Sequence, residues 1–365
     1  MTRPIYINGK FYGAGLNGVH RVADRLIHEI DQFMGALPAD QRLPIRLVVP
    51  KGQKWPLRLN VIEVVEKPMV RGPLWEQLML PVIARDGLLL NLCNLAPVAH
   101  LDKLTMIHDA QFLFPDNSYP LPTRLLHRLL SPAIARTSHR VITVSDYSRQ
   151  MLSLLGVAPR DRIMVLLNGA DHLADIPADP SVLAKHGLQD GRFVVHIASG
   201  KEYKNTRVIF DAFRLPALDH LPLVVVGPGR PELEAAGLKP PENTVFAGKV
   251  DDGQLRALYQ SAACLVFPSR TEGFGLPPAE AMNLGCPAVV APAGAIPEVC
   301  GDAVLYAGVD DPDAWVAAIL QFDGDAPLRQ RKVEVGRARM SHLTWSIAGQ
   351  KLGSELLRLA SAARP

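Results

Sequence analysis

The stretch from Ala262 to Gly285 constrains the fold of this chain more than any other. An apolar run, Ala262 to Phe267, has the length and composition of a buried strand. A loop punctuated by glycine and proline follows, and then a helix expected to open near Pro277 or Pro278 and to stop at Gly285. Proline at the first helical position has no N–H to leave unpaired, and glycine past the last turn accepts the left-handed conformation that ends a helix. The free N–H groups and the dipole at such a start suit a phosphate or another oxygen-rich ligand. Gly273 and Gly275 let the backbone approach that ligand closely. Two carboxylates bracket the turn, Glu272 in the loop and Glu280 in what reads as the first helical turn, with seven residues between them. One is suited to the hydroxyls of a sugar and the other to a second hydroxyl pair, such as a ribose. Strand-loop-helix units with glycines also occur without any ligand, and a glutamate in a first turn is favourable for the dipole alone, so the rest of the chain has to discriminate.

A chain of 365 residues exceeds the size at which one core keeps growing, so two domains are expected. With 48% hydrophobic and 21% charged residues the composition is that of an ordinary globular protein, and a net charge of +3 is too small to imply nucleic acid. No run of about 18 apolar residues is present, and Met1 to Pro4 lead straight into a strand, so neither a membrane span nor a signal peptide is expected. Cys93, Cys264, Cys286 and Cys300 form no C-x-x-C pair. A zinc site or a disulfide framework is therefore not expected, and a reducing cytosol is the natural compartment.

From the start, Pro4 to Asn8 reads as a strand, followed by a glycine-rich loop to Gly18 and a helix from about Val19. Val19, Val22, Ala23, Leu26, Ile27, Ile30 and Phe33 recur on one helical face. Strand, loop and helix open a doubly wound unit. Gly13 to Gly18 matches the dinucleotide pattern G-x-G-x-x-G, but Gly9 to Tyr12 separate it from its strand, and the second strand, Ile45 to Val49, runs into Pro50 and Lys51 rather than an acidic residue. Nicotinamide binding is thus a weak reading. Trp75 and Glu76 have the chemistry of sugar-binding groups, whereas a helix burying Trp75, Leu78 and Leu80 is the plainer expectation. Thr105 to Asp109 end a short strand in a loop, where open α/β sheets place their ligands. His108 there is expected to donate a hydrogen bond to a sugar hydroxyl or a leaving oxygen, with Asp109 orienting it. The basic, leucine-rich segment Thr123 to Arg140 fits either a solvated helix face or peripheral contact with an anionic membrane surface.

A second domain begins with a strand from Phe193 to Ala198 and the segment Ser199 to Asn205. Lys204 stands just before the next helix, where its ammonium can join the helix dipole in holding a diphosphate. Surface lysines are common, so position alone does not single it out. Further strands from Leu221 and Val245 end in loops at Gly227 and Gly248.

The run P-S-R-T-E-G-F-G-L-P-P-A-E-A-M-N-L-G from Pro268, with P-E-V-C-G-D-A-V from Pro297 to Val304, resembles the retaining nucleotide-sugar glycosyltransferases of family four, mannosyltransferase-like members among them. Their E-x7-E hallmark is intact as Glu272 and Glu280. The resemblance implies α/β architecture of the GT-B kind, two Rossmann-like doubly wound domains facing a cleft. The first would span 1–171, with a C-terminal helix, 344–365, crossing back onto it, and the second 172–343. It implies Glu272 and the Gly273, Phe274, Gly275 and Leu276 loop at the donor sugar, Glu280 at the ribose, His108 beside the reacting face, and Lys204 and Gly18 at the diphosphate. Many relatives carry an arginine where Ser199 stands, and Lys201 is the candidate to replace its charge. The implied activity is transfer of a hexosyl group from a nucleoside diphosphate sugar, GDP-mannose ahead of UDP-hexoses and dTDP-rhamnose, to a saccharide or lipid-linked saccharide. No metal or other cofactor is expected, and the enzyme would be cytoplasmic. A non-catalytic sugar-nucleotide-binding scaffold and a nicotinamide oxidoreductase are the competing classes.

Overall fold

The computed structural model describes residues 3–13, 17–53, 58–68, 72–114 and 120–362. The chain divides into two compact units. Unit 1 comprises Met1–Pro115, Tyr119–Asn168 and Trp345–Pro365; unit 2 comprises Asp116–Ser118 and Gly169–Thr344.

Unit 1 is built on β1 (Ile5–Asn8), β2 (Ile45–Pro50), β3 (Glu63–Lys67), β4 (Leu88–Asn91), β5 (Lys103–Met106), β6 (Arg140–Thr143) and β7 (Ile163–Val165), all parallel in the order β3-β2-β1-β4-β5-β6-β7. Helices cover both faces, so β1 and β4 are buried throughout and are apolar up to their last residues, Asn8 and Asn91. The helices are α1 (Gly18–Ala36), α2 (Leu80–Ile83, preceded by a π-helical turn, Trp75–Met79), α3 (Leu121–Arg136) and α4 (Asp146–Leu154). Val22, Ala23, Leu26, Ile27 and Ile30 form the buried stripe of α1, while Val19 and Phe33 lie at its half-buried ends.

Leu78, expected in the core with Trp75 and Leu80, is instead 60% exposed, while the other two are fully buried. The cause is the π-helical turn, which closes i to i+5. In that wider turn Met79 and Leu80, four and five residues on, return to the face of Trp75, and Leu78 swings outward. The C-terminal helix, Trp345–Ser361, packs on α1 through two glycines. A Cβ on Gly349 would stand 2.2 Å from Glu29 Cβ, and one on Gly353 would stand 2.3 Å from the Phe33 ring, so only glycine permits this approach.

Unit 2 repeats the plan with β8 (Val194–Ile197), β9 (Leu223–Val226), β10 (Thr244–Gly248), β11 (Cys264–Phe267), β12 (Ala288–Val290) and β13 (Leu305–Tyr306), parallel in the order β10-β9-β8-β11-β12-β13. Its helices are α5 (Ser181–His186), α6 (Thr206–Ala212), α7 (Arg230–Ala235), α8 (Asp252–Ser261), α9 (Leu276–Leu284), α10 (Ile296–Cys300), α11 (Pro312–Gly324) and α12 (Ala326–Met340). Asp251 and Gln254 form a reciprocal capping box on α8. One core, centred on Val225, Val266, Phe210, Trp315 and Phe322, joins the sheet to the helices. Among the described residues no helix is long and apolar enough to cross a membrane, and no group of three or more His, Cys, Asp or Glu is placed to hold a metal ion.

Candidate functional site

In each sheet the strand order reverses once, between β1 and β4 in unit 1 and between β8 and β11 in unit 2. Loops leaving the carboxyl ends of strands at such a reversal diverge and leave a crevice, the usual ligand position in open α/β sheets.

In unit 2, β8 and β11 are hydrogen-bonded neighbours, so the loops that follow them run side by side. This brings Lys204 to Glu272, with Nζ 2.6 Å from Oε1 and the two side chains 23% and 13% exposed. The ammonium lies 5.3 Å over the Tyr203 ring and 5.4 Å over Phe267. The surrounding loop is firmly tied. Arg270 N–H donates to the Tyr203 carbonyl at 2.8 Å, and the Arg270 guanidinium donates to Asp310 at 2.9 Å and to Asn205 Oδ1 at 3.2 Å. Asn205 sits in the left-handed region, φ 52°, and its amide donates to the Val309 carbonyl at 2.7 Å. Beneath it, buried His196 bonds the Val266 carbonyl and Thr206 Oγ1, both at 3.1 Å. Burial pushes the His196 pKa down to about 4, with the Lys204 charge a smaller contributor. The carbonyl can only accept, so Nδ1 carries the proton, while the Thr206 hydroxyl is within donating distance of the Ser199 carbonyl at 3.1 Å. Lys201 is exposed, 5.9 Å over the same Tyr203 ring, with its N–H donating to Ser199 Oγ at 3.2 Å.

The Glu272 loop is fixed by the turn before α10. Ala295 N–H donates to the Glu272 carbonyl at 3.0 Å, and a Cβ on Gly294, φ +62°, would lie 2.5 Å from Glu272 N. Gly275 adopts φ +93° against Ile296, and Gly285 closes α9 at φ +82°. Gly273, Phe274 and Gly275 are buried, while Leu276 is half-buried.

Two expectations for α9 are corrected. The helix starts at Leu276, so Glu280 falls beyond the first turn and its burial owes little to the dipole. Pro277 and Pro278 also occupy positions whose N–H groups an anion would otherwise use. Within its first three positions the helix offers only the Leu276 amide, and an anion there depends on the Gly273 to Gly275 loop as well.

Sequence reasoning missed His172, which stands beside Glu280. Its Nε2 stands 3.2 Å from Glu280 Oε1, with the side chains 0% and 7% exposed. Nothing in the local pattern marks it.

In unit 1, Gly18 is the exposed first residue of α1, with the Asn17 side chain accepting from His20 N–H at 3.0 Å. A Cβ there would meet nothing within 4 Å among the described residues, so none of them requires glycine at this position. In the Gly13 to Gly18 pattern, residues 14–16 lie outside the described residues; Gly13 ends a 3-10 turn, Lys10–Gly13. Glu76 is paired with Lys10, whose Nζ lies 2.7 and 2.9 Å from its oxygens, and Trp75 Nε1 donates to Asn8 Oδ1 at 3.1 Å.

His108 is 5% exposed, with Nε2 2.8 Å from the Leu92 carbonyl. Burial drives its pKa down to about 4, with nearby His20 adding to the effect. The neutral ring therefore donates Nε2–H to Leu92 and keeps only an acceptor at Nδ1. The expected donation to a sugar hydroxyl is corrected, since His108 can accept from a hydroxyl but has no second proton to give near neutral pH. The Asp109 carboxylate accepts the Gln111 N–H at 3.0 Å, and the His108 ring is oriented by Leu92.

Two doubly wound parallel sheets, each with polar residues gathered at its reversal, are the architecture of GT-B glycosyltransferases. A solved structure of that kind, sucrose-phosphate synthase from Thermosynechococcus elongatus, matches with a TM-score of 0.73 and 18% identity, covering 99% of this chain and 100% of the other. Residues 181–339 form a domain that matches the family described as Glycosyl transferases group 1. The stretch Pro268 to Val304 that carries the family-four resemblance lies within it. The chain is 31% identical over 254 residues to the O-antigen chain mannosyltransferase B of Escherichia coli, covering 66% of each. It is 26% identical over 224 residues to the O-antigen chain mannosyltransferase RfbU of Salmonella typhimurium, covering 60% of each. The chain thus spans somewhat under two thirds of the length of these curated relatives.

Proposed function

We propose that this chain is a retaining glycosyltransferase that moves a mannosyl group from GDP-mannose to a saccharide or lipid-linked saccharide in polysaccharide or glycoconjugate biosynthesis. The observation that carries the reading is the Lys204–Glu272 pair at the strand reversal of unit 2, inside the family domain. Two mannosyltransferases among the relatives favour mannose over other hexoses.

In this reading Lys204, the Leu276 and loop amides and the start of α1 at Gly18 stabilise the departing diphosphate, with Lys201 an auxiliary charge. Glu272 and the Gly273 to Gly275 amides hold the sugar hydroxyls, Glu280 holds the ribose, and His108 Nδ1 accepts from a hydroxyl at the reacting face. Cationic side chains and oriented amides serve as the electrostatic stabilisers, so the reaction needs neither metal nor cofactor. The acceptor oxygen attacks the anomeric carbon on the face from which the diphosphate departs, and a phosphate oxygen takes the acceptor's proton. The enzyme works in the cytoplasm and touches the inner membrane surface peripherally.

The test is calorimetric titration of the purified protein with GDP, UDP, dTDP, ADP and NAD, one at a time and without metal. Selective binding of GDP supports the reading, and selective binding of UDP or dTDP changes the donor. Binding of NAD alone would overturn it in favour of an oxidoreductase. A protein that binds a nucleoside diphosphate sugar yet never releases the nucleotide with any acceptor is a scaffold.

A further inference from the structure

Three loops of unit 2, those after β8, β11 and β13, meet at Arg270, a side chain to which the transfer mechanism gives no task. Both terminal nitrogens of its guanidinium reach the Asp310 carboxylate, one of them at 2.9 Å, and the other also donates to Asn205 Oδ1 at 3.2 Å. Its backbone N–H donates to the Tyr203 carbonyl at 2.8 Å. Arg270 therefore grips the residue on either side of Lys204. Glu272, two residues further along the same loop, grips Lys204 itself at 2.6 Å.

The grip has one orientation. A guanidinium only donates and a backbone carbonyl only accepts, so the Asn205 amide faces Arg270 with its oxygen and the Val309 carbonyl, 2.7 Å away, with its nitrogen. Asn205 is 6% exposed and its backbone is left-handed, φ 52°, a conformation that an L-residue keeps only where its surroundings impose it. Without the guanidinium a buried Oδ1 loses its donor, and the backbone directly after Lys204 is released towards the right-handed region. The Asp310 end is exposed and contributes little energy of its own. Its effect is to fix the plane of the guanidinium, and the same contact holds the Asp310 carboxyl below the usual carboxylate range. A lysine stem has four flexible carbons and does not fix its own ammonium, whereas a charge stabilises a departing anion most when it is already in place. We propose that Arg270 is a positioning residue for Lys204: its backbone holds Tyr203 and its guanidinium holds Asn205, so that the ammonium between them stays where the departing diphosphate develops its charge. This deepens the proposed function and rests on its assignment of Lys204 to the diphosphate.

The experiment has two readouts on the full chain. Competitive acetylation with acetic anhydride, followed by mass spectrometry and run without nucleotide, reports the freedom of the Lys204 amine against exposed Lys185 as internal reference. Arg270→Ala is expected to speed labelling of Lys204 relative to Lys185 about fivefold, the hold of one hydrogen bond. Asp310→Ala, which removes only the exposed anchor, should speed it about twofold, and an unchanged thermal melt checks folding in both variants. Turnover is read as GDP release from GDP-mannose. Arg270→Ala should lower kcat about tenfold with KM for the donor nearly unchanged, within the roughly hundredfold that a small misplacement can cost. In a Lys204→Ala background the same substitution should cost less than about twofold further, because the group it places is gone. Unchanged labelling of Lys204 in both variants overturns the proposal. So does a loss from Arg270→Ala that is equal with and without Lys204, or one confined to KM, since either gives Arg270 a task of its own. Normal turnover of Lys204→Ala removes instead the assignment of Lys204 to the diphosphate, and the labelling, which needs no donor, then decides the Arg270 contact by itself.

Discussion

Unit 1 and unit 2 share a plan and differ in what stands at the strand reversal. Around β8 and β11 unit 2 gathers carboxylates with cationic or titratable partners: Lys204 with Glu272, and His172 with Glu280. At the carboxyl ends of β1 and β4 unit 1 gathers the amides Asn8 and Asn91, the latter accepting from the former at 3.3 Å, and beyond β5 a neutral imidazole, His108. The Lys10–Glu76 pair is its charged contribution at this end. The difference teaches that sheet order fixes where a ligand goes, while loop residues fix which ligand. A diphosphate needs fixed positive charge and amide donors, which unit 2 supplies; hydroxyl-bearing molecules suit the neutral groups of unit 1.

The largest expected effect tests what the units have in common. Each contains, among its buried histidines, one whose folded pKa is pushed to about 4 against about 6.5 unfolded, His108 in unit 1 and His196 in unit 2. Between those values the unfolded chain binds a proton that the folded unit refuses. Stability is therefore complete above pH 6.5 and falls as pH drops towards 4, by about 3 kcal/mol per histidine. Urea melts at pH 7 and pH 4.5 check this unit by unit: Trp315 belongs to unit 2 and every other tryptophan to unit 1, so Trp315→Phe isolates the signal of unit 1. Acid sensitivity in one unit only would break the parallel.

The second prediction separates the units. Lys204→Ala should lower turnover about a hundredfold, as expected for one lost charge contact to a developing anion. Near-normal turnover would remove Lys204 from the mechanism and leave its pairing with Glu272 structural. A third acts on unit 1 alone. Gly349→Ala drives a methyl into Glu29 Cβ, and overpacking outweighs the gain in helix propensity, for a net loss of about 1–2 kcal/mol in the unit 1 melt. An equal loss in unit 2 would show that the units do not melt separately. The smallest effect sharpens the site in unit 2. His172→Ala should weaken nucleotide binding about fivefold, on the order of one close polar contact, by releasing the Glu280 carboxylate. His172→Gln, which retains a donor, should recover part of the loss, and equal affinity in all three proteins would make the contact incidental.

Much of unit 2 was legible because its signals are local. The glycine and prolines around α9 and the spacing of Glu272 and Glu280 each act within a few residues of themselves. Less of unit 1 was legible. The outward turn of Leu78 depends on a π-helical turn that the leucine spacing does not announce, and the acceptor character of His108 depends on a carbonyl, Leu92, sixteen residues away.

The sequence by itself determined the alternation of strands and helices, the turn at Gly273 to Leu276 and the family that residues 181–339 match. Only the tertiary structure decided the partners: Lys204 reaches Glu272 across 68 residues because β8 and β11 are neighbours, and Glu280 meets His172 across 108 residues. Periodicity and capping report the few bonds a residue makes with its own turn. Contacts between loops exist only once the strand order has set which carboxyl ends lie side by side.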